Sequence, residues 1–149
     1  FNTFASMSQF SPFIPLIGGG KIKFSPIYVD DVAKAIVAVL KINNSVPKIY
    51  ELGGPENYSF KELMEILLQN IKKKRFLLPI PFGLAKFQSY FFQMLPNPIL
   101  TPDQVEMLKH NCIVTGKYHT LEDLGISGKT IENVLPKYIY RFRAGGQFG

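Results

Sequence analysis

The sequence predicts an α/β fold in which a few strands alternate with crossover helices and a small helical lobe follows. Three observations support this prediction. Runs rich in β-branched and aromatic residues alternate with segments of helical periodicity. Capping patterns mark the starts of two helices. The second half consists of helical segments with wide apolar faces. This order is typical of a layer built by right-handed crossovers.

The first elements are the end of a helix and two short strands. Phe1, Phe4 and Ala5 predict a helix already under way at residue 1. "PLIGGGKIKFSP" then predicts two strands joined by three glycines that supply positive φ. A glycine-rich loop that binds phosphate needs a helix directly after it, whereas residues 21–24 alternate like a strand. The sequence therefore favours a turn over a phosphate site.

The adjacent carboxylates Asp30 and Asp31 in "SPIYVDDVAKAI" are either a catalytic pair or the start of a helix. The extended run at residues 27–29 stops at them, and a helical pattern follows at once. We therefore predict that Asp31 caps a helix of about residues 31–42. The apolar face of that helix needs a sheet or another helix to cover it. It consists of Val32, Ile36, Val39 and Leu40.

The next alternation is a strand, a helix and a strand. Residues 49–52 predict a buried strand that ends at two glycines. Ser59 and Glu62 form a capping box, so a helix begins there. Its apolar face consists of Leu63, Ile66, Leu67 and Ile71. "RFLLPIP" predicts the strand that follows.

The second half predicts helices with a wide aromatic face. That face consists of Phe82, Leu84, Phe87, Tyr90, Phe91, Met94 and Leu95. Thr101 starts a second capping box, with a helix over about residues 102–110. "TLEDLGI" and "KTIENVLPKYIYRF" complete the region. The aromatic face either covers the sheet or forms an apolar patch beside Arg141 and Arg143, which would suit anionic lipid or a membrane-bound complex.

Composition limits the class of protein. The 149 residues are 46% hydrophobic, enough for one domain with a core. The formal charge of +6 is mostly dispersed, and no nucleic-acid-binding motif accompanies it, so we expect no nucleic-acid partner. Cys112 is the sole cysteine, which excludes an internal disulfide and fits a reducing compartment. Apolar runs end well before the ~18 residues of a membrane span, so we expect a soluble chain in the cytoplasm.

The sequence predicts no catalytic, cofactor-binding or metal-binding residue in this chain. His110, His119 and Cys112 lack tight metal-ligand spacing. No dinucleotide loop or nucleophile elbow occurs, and no Tyr is followed by Lys four residues later.

The order "GGGKIKFSPIYVDDVAKAI", then "IYELGGPENYSFKEL", resembles the C-terminal half of extended short-chain dehydrogenases, the NAD-dependent epimerase and dehydratase group. "RFLLPIPFGLAKFQ", "LPNPILTPDQVEMLKHNCIV", "TLEDLGI" and "VLPKYIYRFRAGG" resemble the branch that contains the short-chain-dehydrogenase-like accessory subunit of respiratory complex I and its bacterial relatives. The resemblance covers nearly the whole chain.

The resemblance implies the C-terminal part of a Rossmann-like protein. Residues 1–80 would complete a Rossmann-type sheet, and residues 81–149 would form a mostly helical substrate-side lobe. The N-terminal dinucleotide-binding half, with its glycine loop and Tyr-x-x-x-Lys pair, is absent. The full-length protein would then hold NAD(P)H, and this chain alone would not. The matching Asp31 is a structural residue in the family too.

One departure from the family concerns the substrate side. In nucleotide-sugar epimerases and dehydratases, an Arg shortly before the Tyr-Val segment holds the substrate diphosphate with a bidentate fork. Phe24 occupies the corresponding position here, with Lys21 and Lys23 nearby. An apolar ring cannot make that contact, and lysines are point charges without the fork. Lys21 and Phe24 are the candidate substrate-side residues, and a nucleotide sugar is disfavoured.

Two functions follow from the resemblance. The first is a structural or assembly protein that docks on complex I subunits or on the missing N-terminal half, with a peripheral contact on the cytoplasmic face of the inner membrane. The second is an active NAD(P)-dependent oxidoreductase, epimerase or dehydratase acting on a small or lipid-like substrate. An intact upstream Tyr-x-x-x-Lys pair would discriminate between them.

Overall fold

The computed structural model describes residues 1–42, 47–92 and 101–142. In chain order its helices and strands are α1 (Asn2–Phe10), β1 (Phe13–Ile17), β2 (Lys23–Phe24), α2 (Val29–Lys41), β3 (Tyr58–Ser59), α3 (Phe60–Ile71), β4 (Phe76–Ile80), α4 (Phe82–Phe92), α5 (Pro102–Met107) and α6 (Ile131–Ile139). Single 3₁₀ turns cover Gly18–Gly20, Glu122–Leu124 and Tyr140–Phe142. The mixed α/β class is the one that the sequence predicts.

A parallel pair of strands, β1 and β4, forms the larger sheet. Phe13 lies opposite Phe76 and Ile17 opposite Ile80. Parallel neighbours need a long crossover, and the connection between these strands contains α2 and α3. Side chains alternate between the faces of a strand, so Ile14 and the residues in phase with it point to one side and Phe13 and its set to the other.

The main core lies on the Ile14 side of this sheet. Ile14 and Leu16 of β1 pack against the apolar face of α3, where Leu67 is fully buried. The predicted face of α3 is confirmed: Leu63, Leu67 and Ile71 are buried, and Ile66 is partly buried. Leu135 and Ile139 of α6 join the same core. Residues 1–80 and the end of the described chain therefore share one core, and the predicted division at about residue 80 stays a prediction.

The smaller sheet is antiparallel and short. Lys23 and Phe24 of β2 pair with Ser59 and Tyr58 of β3. On the other side of β2, the N–H of Cys112 donates to the carbonyl oxygen of Lys23 at 2.8 Å. The strands β1 and β2 do follow each other across the three glycines, whose φ values of 62°, 71° and 69° are positive as predicted. They pair with other partners and not with each other.

The predicted cap at Asp31 is wrong. The helix α2 begins at Val29, two residues earlier than expected, and its N-cap is Tyr28, whose side chain makes no capping hydrogen bond. Asp31 lies in the first turn with its side chain fully buried. It is a structural residue, as predicted, but through a long-range contact described below.

The predicted strand at residues 49–52 is also wrong. Tyr50 makes only an isolated bridge to His119, and Ile49 is exposed. The carboxylate of Glu51 instead accepts hydrogen bonds from the N–H groups of Thr115 and Gly116 at 2.8 and 3.0 Å. These bonds hold the segment against the loop before the Glu122–Leu124 turn, where no partner strand runs.

Gly54 marks a close approach that the sequence does not show. A Cβ added there would lie 1.9 Å from the carbonyl oxygen of Pro26. The N–H of Gly54 donates to the carbonyl oxygen of Ser25 at 3.4 Å. Only glycine lets the two backbone segments lie this close.

A second, smaller core joins α4 and α5 to the end of β1. It contains Ile17, Ala85 and Val105. The helix α5 begins at the predicted capping box but ends at Met107, shorter than the predicted 102–110. Among the described residues, no helix is long and apolar enough to cross a membrane.

Both predicted capping boxes are present. The N–H of Glu62 donates to Ser59 Oγ at 3.2 Å, and the N–H of Ser59 donates to Glu62 Oε2 at 2.6 Å. Thr101 and Gln104 make the equivalent pair at 3.3 and 3.1 Å. Each box satisfies backbone donors that a helix start leaves without a partner.

The Ser59 box yields a stability prediction. Replacing Ser59 with Ala removes the acceptor for the N–H of Glu62, so the free energy of unfolding should fall by about 1 kcal/mol. Ser59→Thr keeps the hydroxyl and should lose much less. Urea denaturation followed by circular dichroism measures both, and equal losses in the two variants would show that the hydroxyl is not the stabilising group.

Candidate functional site

An apolar groove lies on the face of the β1–β4 sheet that points away from the main core. Phe13, Pro15 and Ile17 of β1 line it, together with Leu78 and Ile80 of β4. The register places Pro15 opposite Leu78 and Ile17 opposite Ile80, so these side chains share one face. The sheet therefore forms one wall of the groove along the whole of β1.

Helical side chains complete the lining of this groove. Phe4 and Met7 come from α1, Ala85 from α4, and Met107 and Leu108 from the end of α5. The enclosed volume is about 470 Å³, within the usual range for small-molecule sites. No charged side chain lines it within the described part of the chain. The few polar groups are neutral, among them Gln88, Gln104 and the Cys112 thiol.

The structure separates the two predicted substrate-side residues. Phe24 lines the groove and contacts the Phe60 ring edge-on, with centroids 6.4 Å apart. Lys21 is exposed just after the three glycines, and it is not among the residues that line the groove. The sequence did not predict the other residues that line the groove. The continuous apolar run of β1, Phe13–Ile17, is the sequence signal for a second apolar face.

Asp31 is buried at the junction of α2 with the loop before α6. Its Oδ2 accepts a hydrogen bond from the N–H of Lys129 at 2.8 Å, and its Oδ1 accepts one from Lys34 Nζ at 3.1 Å. The Lys129 ammonium lies 3.9 Å from Asp30 and 4.7 Å from the centre of the Tyr28 ring. These contacts join α2 to a segment almost a hundred residues later in the chain.

Burial and hydrogen bonding act on the pKa of Asp31 in opposite directions. Burial alone would raise it, but the N–H of Lys129 and the ammonium of Lys34 more than offset that effect, so the pKa lies below its ordinary value of 3.8. Asp31 is therefore charged at neutral pH and serves as an anchor. Asp31 is not among the residues that line the groove, and the neighbouring carboxylate of Asp30 is exposed.

The histidines and the cysteine do not converge. His119 Nδ1 lies 3.5 Å from Asp123 Oδ2, and its ring lies against Tyr50. The Cys112 thiol lies 3.8 Å from the carbonyl oxygen of His110. In the described ranges, no group of three or more His, Cys, Asp or Glu side chains could hold a metal ion.

The outer face of α2 is apolar and exposed. We call Val29, Ile36, Val37 and Leu40 the α2 stripe, and they are 70%, 54%, 50% and 80% exposed. Their spacing of i, i+7, i+8 and i+11 places them on one helix face. The buried residues of α2 are Asp31 and Ala35 on the opposite side. The sequence predicts that a sheet or another helix covers Ile36 and Leu40, but no described residue covers them.

The aromatic face of α4 also points outward. Leu84, Phe87 and Tyr90 are each more than half exposed, whereas the buried residues of the helix are Ala85 and Ser89. Of the two predicted alternatives, the one in which the aromatic side chains cover the sheet is wrong for Phe87 and Tyr90. The side chain of Phe91, together with Met94 and Leu95, lies outside the described residues, as do Arg143 and the side chain of Arg141.

Several known proteins are similar to this chain over most of its length. The chain matches no family model. It is 35% identical over 144 residues to NADH dehydrogenase [ubiquinone] 1 alpha subcomplex subunit 9, mitochondrial, of Arabidopsis thaliana, covering 90% of this chain and 36% of that protein. The match lies in the C-terminal part of that protein. The chain is homologous to the C-terminal part of that subunit.

Two further relatives with related names match a similar share of the chain. The NADH-ubiquinone oxidoreductase 40 kDa subunit, mitochondrial, of Neurospora crassa is 28% identical over 131 residues, covering 87% of this chain and 35% of its own length. The mouse subunit 9 is 29% identical over 133 residues, covering 88% of this chain and 35% of its own length. The chain thus spans about a third of the curated relatives that it matches.

The buried carboxylate of Asp31 yields a second stability prediction. Asp31→Ala leaves the Lys129 N–H without its acceptor, and a hydrogen bond to a charged group is worth about 2 kcal/mol. We expect the free energy of unfolding at pH 7 to fall by about that amount. Asp31→Asn keeps an acceptor and should lose less. Asp30→Ala is the matched control, because this exposed neighbour makes only a long ion pair and should cost at most about 0.5 kcal/mol.

The acid dependence of stability provides the second half of this test. Because the folded pKa of Asp31 is depressed, its contribution is complete above the ordinary value of 3.8 and is lost as pH falls through the lower, folded value. Chemical denaturation between pH 7 and pH 2 should show the gap between the native chain and Asp31→Ala closing below about pH 4. A gap that persists in acid would show that packing, and not the charge, is what Asp31 supplies.

Proposed function

We propose that the chain is the C-terminal part of an NAD(P)-binding, short-chain-dehydrogenase-like accessory subunit of respiratory complex I, with a structural or assembly role. The observation that carries this is the 35% identity over 90% of the chain to a subunit named for NADH dehydrogenase. An active oxidoreductase or epimerase, the other function predicted from the sequence, is not favoured by relatives that are named as subunits.

The α2 stripe is the proposed contact with the N-terminal, dinucleotide-binding half. The curated relatives are almost three times as long as the match, so a large part of such a protein precedes this region. A convex apolar helix face of four large side chains is stabilised only when another surface covers it. In this proposal residues 1–80 complete a Rossmann-type sheet with the N-terminal half, and residues 81–149 form the mostly helical lobe.

The outer face of α4 is the proposed contact with other complex I subunits. Leu84, Phe87 and Tyr90 form an exposed apolar surface, and aromatic side chains are enriched at the centres of protein interfaces. A peripheral contact with the membrane beside the complex is the second use of the same face. The side chains of Arg141 and Arg143, the cationic part of the predicted patch, lie outside the described residues.

We propose a peripheral position at the inner membrane for the assembled protein. The absence of a spanning helix among the described residues is compatible with it. The relatives are named as mitochondrial proteins. The contact with the cytoplasmic face of the inner membrane stays a prediction from the sequence.

The α2 stripe gives a direct test of this arrangement. Leu40→Asp should cost the 149-residue chain at most about 1 kcal/mol through helix propensity and the helix dipole, because Leu40 is 80% exposed there. In the full-length protein the same change would bury a carboxylate in place of a leucine, whose burial is worth about 2 kcal/mol. We expect a lower melting temperature and less protein migrating with complex I on native gels. Ile49→Asp is the control, because Ile49 is another exposed aliphatic residue outside the stripe. Equal assembly of both variants would contradict the proposed contact.

Cofactor binding provides a separate test. The chain alone should give no saturable heat when titrated with NADH or NADPH, because its glycine turn is followed by β2 and not by a helix N-terminus. The full-length protein should bind one of the two nucleotides. Micromolar binding by the 149-residue chain would contradict the placement of the nucleotide site in the N-terminal half.

A further inference from the structure

The groove on the β1–β4 sheet differs from the two exposed helix faces in shape. It is concave, with Phe13, Pro15 and Ile17 along the length of β1 forming one wall and side chains of α1, α4 and α5 completing the lining. Five strand residues span about 13 Å. The groove, with a volume of about 470 Å³, therefore extends along the strand. An elongated ligand can lie along this wall.

The lining determines the chemistry of that ligand. Within the described chain, the lining is apolar except for a few neutral groups, and no lysine, arginine or carboxylate reaches it. A charged or strongly polar ligand would lose its water without gaining a partner there. An apolar ligand would release water from both surfaces at no such cost.

Two methionines give the groove some adaptability. Met7 of α1 and Met107 of α5 both line it, and methionine side chains are unbranched and flexible. Surfaces rich in methionine can repack around ligands of different length. This favours a class of ligand that varies in length over a single rigid molecule.

We propose that this groove binds a single hydrocarbon chain of the fatty-acyl class, with the polar head of the ligand remaining in solvent. The binding site consists of Phe13, Pro15, Phe24, Leu78, Met7 and Met107. This site goes beyond the proposed assembly role and does not depend on it. Phe24, which stands where sugar-nucleotide enzymes carry an arginine, becomes part of the apolar lining.

The sole cysteine of the chain is a built-in reporter for this site. Cys112 lines the groove and is exposed, so a thiol reagent can reach it. If only the empty groove reacts, lauric acid at ten times its dissociation constant should slow modification of Cys112 about tenfold. Butyric acid has the same carboxylate and a chain too short to fill the groove, so it should not protect. Protection by both acids would show that the carboxylate is what binds and would overturn the proposal.

A matched pair of variants locates the binding. Leu78→Lys places a charge in the groove at a residue that is 50% exposed, and Leu84→Lys makes the same change at 57% exposure on α4, outside the lining. Circular dichroism verifies that both variants fold. We expect Leu78→Lys to lose protection by lauric acid and Leu84→Lys to keep it. Equal protection in both variants would overturn the site.

The full-length protein distinguishes a ligand from a protein occupant. Peptide mass spectrometry can follow Cys112 alone in that protein. Reactive Cys112 that lauric acid protects supports the proposal. Cys112 that is unreactive with and without lauric acid would show that another part of the protein covers the groove, and the proposal would fail.

Discussion

The parallel pairing of β1 with β4 is the constraint on which the rest of the structure depends. A sheet of two parallel strands has two apolar faces and almost no interior, so it is stable only where helices cover it. The face that carries Ile14 and Leu16 is sealed by α3 and α6 in the main core. The face that carries Phe13, Pro15 and Leu78 is only partly enclosed by α1, α4 and α5, and the groove is what remains open.

The local signals of the sequence were reliable where the relevant physics is local. The boxes at Ser59 and Thr101, the positive φ of the three glycines and the buried face of α3 all depend on residues within one or two turns of each other. The predictions failed where the structure of a residue is determined by a segment that is distant in the sequence. Asp31 looked like a cap because its true partner, the N–H of Lys129, is 98 positions away. Residues 49–52 have the composition of a strand, but Glu51 binds a loop that no periodicity reveals.

Of the two predicted substrate-side residues, only Phe24 lines the groove, and the other lining residues were not predicted for a similar reason. Phe24 was identified because the family resemblance placed an arginine at its position, whereas the lining from α1, α4 and α5 is assembled only by tertiary packing. The sequence left open whether the aromatic face of α4 covers the sheet or forms an exposed apolar patch. The helix turns Ala85 inward, where it packs with Ile17 and Val105 in the second core. A small residue at this contact lets the helix approach closely, and the large side chains are left outside.

The remaining apolar surfaces are of two kinds, convex and concave. The shape of each surface limits what can cover it. The α2 stripe and the outer face of α4 are convex, so a small molecule lying on either would still expose most of its own surface to water. Only an extended partner surface removes water from both sides there, which is why these faces suit the N-terminal half or neighbouring subunits. The groove contacts an occupant from several sides with helices and strands of this chain, so a hydrocarbon chain would lose much of its contact with water there without another protein. The described chain thus has two convex apolar faces that only an extended surface can cover, and a separate concave surface whose lining is apolar and uncharged.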